Sequence, residues 1–240
     1  MIMEKERKQK GGSLMKKTFA MLMMGALMVS AVNSAQALTF TFSQSQLLSI
    51  AGPEGNVTED YLRIVDVLEG NSYLNNPTAF DSGVTLKGNI DLGDDAQAGD
   101  IGYLEVFFDA NPLNLSDYSR YGLTFANYND DVWGYQLFVR RGEGNYTTSG
   151  EFAWLNPSPL EPYSTSLFMD LGDNIGSIDE IGFRIAFEAT LRPCGDRVKT
   201  GDMLETQVTP IPEPGTLALL STGLLGLIGT GVTVKKKKEL

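Results

Sequence analysis

The clearest pattern along the chain is an alternation of hydrophobic and polar residues over short segments. In residues 181–188, Ile181, Phe183, Ile185 and Phe187 fall on one side of an extended chain, and small or charged residues fall on the other. Because side chains of a strand point alternately to opposite faces, this pattern predicts a strand with one buried face. Further strands are predicted at 62–68, 84–90, 103–108, 121–125 and 133–140.

Turn-forming residues separate these segments. Gly, Asn and Asp are concentrated between the predicted strands, for example at 91–95 and 142–145. A helical pattern occurs in this part of the chain only weakly, at 44–50. Many short strands joined by such turns predict an all-β fold, an antiparallel β-sandwich of the jelly-roll type.

The N-terminal end carries a short apolar run. Two lysines precede the uncharged segment 18–29, and the small residues Ala35 and Ala37 follow it. These three parts form a secretory signal, so we predict a signal peptide at 1–37 that signal peptidase cleaves after Ala37. A retained membrane anchor is the alternative, but the run is shorter than the roughly 20 residues that span a bilayer. Residues 1–14 precede another methionine, Met15, and form a candidate mis-called start extension.

A longer apolar segment lies at the C-terminal end. Residues 215–234 carry no charge, and as a helix they match the roughly 30 Å hydrocarbon core of a bilayer. We therefore predict a transmembrane helix here, preceded by a Pro-rich linker at 207–214 and followed by a basic tail at 235–240. The positive-inside rule keeps the basic cluster cytoplasmic and the preceding domain outside. The cluster consists of Lys235, Lys236, Lys237 and Lys238.

The charges of the segment between the two ends are one-sided. Residues 38–209 hold nine of the 19 Lys and Arg residues and 26 of the 30 Asp and Glu residues, which gives a net charge of −17. Such a field argues against nucleic acid and against anionic membrane surfaces as partners. We place the boundaries of this acidic β-sandwich domain at 38–206.

The residue types that are missing exclude several chemistries. The chain has no histidine, which rules out Ser-His-Asp and Cys-His catalysis and imidazole-based zinc sites. Its one cysteine, Cys194, cannot close an intrachain disulfide and is interpreted as a loop thiol. No cofactor is expected, and a structural calcium ion is left open because carboxylate oxygens remain available.

The C-terminal motifs resemble a known sorting signal. Pro212-Glu213-Pro214, then a Leu- and Gly-rich span, then a terminal basic cluster are similar to the PEP-CTERM signal of Gram-negative bacteria. Segments 211–220 and 223–227 carry the resemblance, although the family usually ends in arginines and this chain has lysines. The resemblance implies processing by an exosortase near the motif. It also implies an inner-membrane-anchored precursor, a mature form at the cell envelope or outside, and association with exopolysaccharide. A plain single-span membrane protein is the alternative.

The central domain loosely resembles jelly-roll modules of the carbohydrate-binding type, through the aromatic segment near Trp133 and the segment 181–185. Sugar binding needs aromatic ring faces beside polar groups. The candidate contacts are Tyr128, Trp133 and Trp154. Trp133 is equally a core residue on the hydrophobic side of its strand, whereas Tyr128 belongs to a loop and is the better candidate for exposure.

Two further functions are open alternatives to a non-enzymatic binding or structural module. A glycosidase needs two carboxylates about 5–10 Å apart across a cleft. Glu105 and Asp109 come closest, but they lack a signature spacing. A calcium-dependent adhesive protein needs several converging oxygen ligands. Two acidic stretches supply candidates: Asp91, Asp94, Asp95 and Asp100, and Asp170, Asp173, Asp179 and Glu180.

Overall fold

The structure is a computed structural model that describes residues 38–65, 70–129, 131–156, 163–173, 175–191 and 198–212. Several sequence predictions lie outside these residues: the signal peptide, Glu213 and Pro214 of the sorting motif, the transmembrane helix, the basic tail and Cys194. No helix within the described residues is both long enough and apolar enough to cross a membrane.

The described residues form fifteen β-strands, a short helix α1 (Gln44–Leu48) and a 3-10 turn (Ile175–Ser177). The strands are β1 (Thr39–Phe40), β2 (Leu62–Val65), β3 (Tyr73–Leu74), β4 (Thr78–Phe80), β5 (Gly83–Asp91), β6 (Ile101–Asp109), β7 (Arg120–Asn127), β8 (Trp133–Arg140), β9 (Tyr146–Thr148), β10 (Ala153–Leu155), β11 (Tyr163–Asp170), β12 (Glu180–Glu188), β13 (Thr190–Leu191), β14 (Val198–Lys199) and β15 (Gly201–Pro210).

The strands form two main sheets. The seven-stranded sheet has the order β1-β7-β15-β5-β3, with β11 paired to β7 and β4 paired to β5. The six-stranded sheet has the order β10-β8-β12-β6-β2, with β9 paired to β8. Pairing is antiparallel except between β1 and β7. The predicted all-β, antiparallel sandwich is therefore confirmed.

The core lies between the sheets and is built by the alternation seen in the sequence. On β12, Ile181, Phe183 and Ile185 are fully buried. On β8, Trp133 and Tyr135 are fully buried as well, and the Tyr135 ring stacks on Phe125 of the seven-stranded sheet at a centroid distance of 4.9 Å. The inward faces of β8 and β12 are thus hydrophobic, and burial of such faces is the main source of the stability of a sandwich.

The weak helical pattern corresponds to a real but short helix. α1 begins at a capping box, in which the Ser43 hydroxyl accepts from the Gln46 N–H while the Gln46 side chain accepts from the Ser43 N–H. Leu47 is the buried residue of the helix. The Gln44 side chain donates to the carbonyl oxygen of Gly83, which fixes α1 to the start of β5.

The last strand extends the folded domain beyond the boundary set at 206. β15 continues to Pro210 and pairs with β5 up to Val208 and with β7 up to Pro210. Residues 207–210 therefore belong to the sheet rather than to a linker. The next N–H, that of Ile211, donates to the Thr41 hydroxyl at 3.2 Å, so the chain leaves the sandwich beside its first strand.

Candidate functional site: the concave face of the six-stranded sheet

The outer face of the six-stranded sheet is concave. Arg63 on β2 donates from Nη1 to the hydroxyl of Tyr146 on β9 at 2.8 Å. These strands lie four strand spacings apart, a distance of about 19 Å in a flat sheet. Two central strands of this sheet, β12 and β6, also approach each other closely. A Cβ added to Gly182 of β12 would lie 2.1 Å from the carbonyl oxygen of Val106 on β6. The curled sheet thus brings side chains from both edges together.

Five charged side chains cover the middle of this face, and we call them the ionic network: Arg63, Arg140, Arg184, Glu105 and Glu180. Glu105 accepts from Arg63 at 2.5 Å and from Arg184 at 2.7 Å. Glu180 accepts from Arg63 at 3.1 Å and from Nε of Arg140 at 2.8 Å. The network therefore joins strands β2, β6, β12 and β8.

Hydrogen bonding holds the charges of the network in place. Burial alone would lower the pKa of Arg63, but the hydrogen bonds to Glu180 and Glu105 outweigh burial and raise the pKa. The hydrogen bonds to Glu180 likewise raise the pKa of Arg140. Burial, together with the Glu105 charge, raises the pKa of Tyr146, so its hydroxyl stays protonated over the network.

Aromatic rings surround the guanidinium group of Arg184. It lies 4.7 Å from the Tyr103 ring centroid, 4.9 Å from that of Tyr146 and 5.2 Å from that of Phe138. Its Nη1 also donates to the Gln136 side chain at 2.9 Å. These contacts fix Arg184 in one orientation, because a cation is attracted to the faces of the rings around it.

Three half-buried aromatic residues, Tyr103, Phe152 and Trp154, lie next to the ionic network and are called the aromatic strip. The Phe152 centroid is 5.8 Å from the centroids of both Tyr103 and Trp154. Small residues make room for the rings, since Tyr103 and Trp154 are separated in register by Ala186 and Gly134. A Cβ on Gly134 would lie 2.9 Å from the Trp154 ring.

The concave face combines the two kinds of group that recognise sugars. The rings of the strip keep part of their surface in solvent, where the C–H face of a pyranose can stack. Arg63 and the Tyr146 hydroxyl provide nearby polar groups for sugar hydroxyls, and their positions are fixed by the hydrogen bonds between them and from Arg63 to Glu105 and Glu180. A preformed polar and aromatic surface of this kind binds with a small entropy cost.

The three aromatic residues predicted as contacts occupy different places. Trp154 is part of the aromatic strip. Trp133 is fully buried and packs on Phe187 with a centroid distance of 5.4 Å, so its indole belongs to the core and is closed to a ligand. Tyr128 is 45% exposed, but it follows β7 of the other sheet, and its N–H donates to the Glu205 carbonyl oxygen.

The candidate acids of a glycosidase do not form a free pair. Glu105 is 1% exposed and both of its oxygens accept from guanidinium groups. Asp109 lies at the end of β6, where its Oδ1 accepts from the Asn111 N–H at 2.8 Å. Both carboxylates are therefore engaged by protein donors.

The two acidic stretches considered for calcium do not converge. Among the described residues no group of three or more acidic or cysteine side chains is placed to hold a metal ion. The Asp91 carboxylate accepts from the N–H of Gly93 within its own turn, and the Asp100 carboxylate accepts from the N–H of Gln97, three residues earlier. Asp170 pairs with Arg120, and Glu180 belongs to the ionic network.

A separate cavity of about 460 Å³ lies at the end of the sandwich where β6 ends and β12 begins. Its polar groups include Asp109, Asp179, Asn114 and Ser116. Several of them are engaged within the loops, since Asp179 accepts from the Gly142 N–H and Ser116 donates to Asn114. The aromatic strip is not part of its lining.

Comparison with known proteins finds similarity among solved structures, whereas no protein-family model and no curated protein matches. The CBM22-2 xylan-binding domain of Paenibacillus barcinonensis Xyn10C shares 13% identity at a TM-score of 0.32, over 66% of this chain and 95% of that one. The C-terminal family 22 carbohydrate-binding module of Clostridium thermocellum Xyn10B shares 7% sequence identity at a TM-score of 0.32, and the match covers 66% of this chain and 93% of that one. An exo-beta-agarase shares 11% sequence identity at a TM-score of 0.35, and the match covers 68% of this chain and 24% of that one. Carbohydrate-binding modules are thus among the structures that this chain resembles, and at these TM-scores the resemblance carries no argument about function.

Proposed function

We propose that this protein is a non-enzymatic module that binds polysaccharide on the concave face of its six-stranded sheet. The observation that carries the proposal is the aromatic strip lying beside a fixed network of hydrogen-bonding side chains. Stacking on Tyr103 and Trp154 supplies affinity, and the more exposed Arg63 and Tyr146 supply hydrogen bonds that orient the sugar rings.

The burial of β8 supports ligand binding on the concave face. Seven of its eight residues are buried, including outward-facing ones such as Gln136 and Phe138. The strip and the network cover these residues, and each covering side chain is ordered by ring contacts or ion pairs. An outer face that only met water would need no such ordering, which costs side-chain entropy.

Binding of the complete chain, purified in a nonionic detergent, to immobilised polysaccharides tests the proposal. Trp154→Ala is expected to weaken binding about tenfold or more, because truncating a central aromatic contact costs over 1 kcal/mol. Phe168→Ala is the matched control, since Phe168 is an exposed ring beside an arginine on the other sheet. Equal effects of the two substitutions, or no binding to any polysaccharide, contradict the proposal.

The same proposal includes export and sorting to the cell envelope, with the exopolysaccharide there as the ligand. A signal peptide ending at Ala37 and exosortase processing at Pro212-Glu213-Pro214 would leave the sandwich intact. The position of the last strand supports this, because β15 ends at Pro210 and Pro212 is exposed. A protease that approaches at Pro212 would meet chain that follows the end of the last strand.

The intact mass of the mature protein tests the sorting part. In cells with an active exosortase, we expect an N-terminus at Leu38 and loss of the segment that follows the Pro-Glu-Pro motif. A mature protein that still extends through Lys238 contradicts sorting, and it leaves the binding proposal untouched.

A further inference from the structure

We infer that the ligand of the concave face is an anionic polysaccharide, whose carboxylate or sulfate groups are received by Arg63 and Arg140. The inference rests on the proposed function and names the class of ligand. The observations behind it are the different exposures of the positive and negative groups of the ionic network.

The carboxylates of the network are less exposed than the guanidinium groups of Arg63 and Arg140, whereas Arg184 is as buried as Glu180. The side chains of Glu105 and Glu180 are 1% and 12% exposed, whereas those of Arg140 and Arg63 are 25% and 33% exposed. Three guanidinium groups also face two carboxylates, which leaves one positive charge in excess. Within the network, the most exposed charged groups are therefore the two positive ones of Arg63 and Arg140, although the domain as a whole is acidic.

The exposed arginines retain donors for a ligand. Arg140 uses Nε and Nη2 for Glu180, and Arg63 uses Nη1 and Nη2 for Glu105, Tyr146 and Glu180. Within the described residues, Nη1 of Arg140 and Nε of Arg63 donate to no protein atom. Guanidinium groups form stronger hydrogen bonds to anionic oxygens than to neutral hydroxyls, so these donors favour a charged sugar.

The acidity of the rest of the domain does not prevent such binding. Three of the nine basic side chains in residues 38–209 belong to the network. At physiological ionic strength charges are screened over about 8 Å, so a ligand on this face is influenced mainly by nearby groups. The acidic surfaces elsewhere instead discourage the same polymer from binding at other places.

Polymers that differ only in charge test the inference. The complete chain is titrated with polygalacturonate and its methyl-esterified form, and with dextran sulfate and dextran. We expect the charged member of at least one pair to bind about tenfold more tightly, because hydrogen bonds to charged groups are the stronger ones. The first pair reports a preference for carboxylate and the second a preference for sulfate.

Substitutions assign that preference to the network. Arg140→Gln is expected to abolish most of the tenfold preference, and Arg140→Lys, which keeps the charge, is expected to retain part of it. Arg120→Gln is the matched control, since Arg120 also pairs with a carboxylate and lies over an aromatic ring, but on the other sheet. The basic tail is present in every variant, so the differences between variants exclude its contribution.

The outcomes separate this inference from the function beneath it. Binding to the neutral members with no preference for the charged ones overturns the inference and leaves the proposed function standing. A preference for charge that persists in Arg140→Gln, folded as judged by circular dichroism, overturns it as well. If the glutamine variant does not fold, the lysine variant decides, and an effect no larger than that of Arg120→Gln overturns the inference. Failure of every polymer to bind overturns both.

Discussion

Replacing Glu105 with glutamine is expected to lower the free energy of unfolding by about 3–5 kcal/mol. The carboxylate is 1% exposed and lies between Arg63 and Arg184. An amide cannot neutralise the two guanidinium groups, so the substitution leaves positive charge at a buried position without its partner. The cost is therefore that of an uncompensated buried charge, which exceeds the cost of one lost hydrogen bond.

Glu205→Gln provides the matched control for this substitution. Glu205 pairs with Lys87 at 3.0 Å, but the two side chains are 39% and 54% exposed. Exposed pairs contribute under about 1 kcal/mol, so this variant should be nearly as stable as the natural protein. Urea unfolding followed by the fluorescence of buried Trp133 measures both variants. Losses of the same size would mean that the ionic network is not held by its buried carboxylate.

The stability of the domain is expected to fall as the pH rises above about 10, through its buried tyrosines. Tyr121 is fully buried, and its hydroxyl has no hydrogen-bond partner in the part of the chain that the structure describes. Burial raises the pKa of Tyr121 well above its ordinary value of about 10. Above that pH the unfolded chain loses the proton and the folded one keeps it. Each such group therefore lowers the free energy of unfolding by about 1.4 kcal/mol per pH unit.

Tyr121→Phe isolates this contribution. The variant should lose stability less steeply than the natural protein above pH 10, with a slope that is smaller by about 1.4 kcal/mol per pH unit. At neutral pH it should be equally stable or about 1 kcal/mol more stable, because an unpaired buried hydroxyl is removed. Tyr135→Phe should also make the loss of stability above pH 10 less steep, since burial raises the pKa of Tyr135. Urea unfolding at several pH values measures the slopes, and identical slopes for the variant and the natural protein would contradict the assignment.

Strands with a uniform hydrophobic face could be predicted from the sequence, and others could not. The predicted segment 133–140 coincides with β8, and β12 begins one residue before the predicted 181–188. β15 was missed because a buried threonine, Thr206, interrupts its inward-facing Leu204 and Val208. A threonine is accepted there since its hydroxyl donates to the Ala126 carbonyl oxygen of β7, a contact that depends on strand order.

The same distinction applies to the candidate site. Side chains alternate along a strand, so the inward positions of β6, such as Leu104 and Val106, imply that Tyr103 and Glu105 face outward. This alternation alone could have placed Tyr103 and Glu105 on the outer face. The ionic network could not be read in this way. Arg63 and Glu180 are 117 positions apart, and they meet because β2 and β12 both pair with β6 in a curled sheet. Sequence alternation assigns a residue to a face but does not assign its neighbours.

Quenching of tryptophan fluorescence by acrylamide tests the binding face most directly. The chain has two tryptophans, of which Trp133 is fully buried and Trp154 lies in the aromatic strip, so the quenchable emission belongs to Trp154. Trp154→Phe defines the signal of Trp133 alone. The polysaccharide that binds the complete chain most tightly is predicted to protect Trp154 from acrylamide. A polysaccharide that binds at saturation and leaves the quenching of Trp154 unchanged would contradict binding on the concave face.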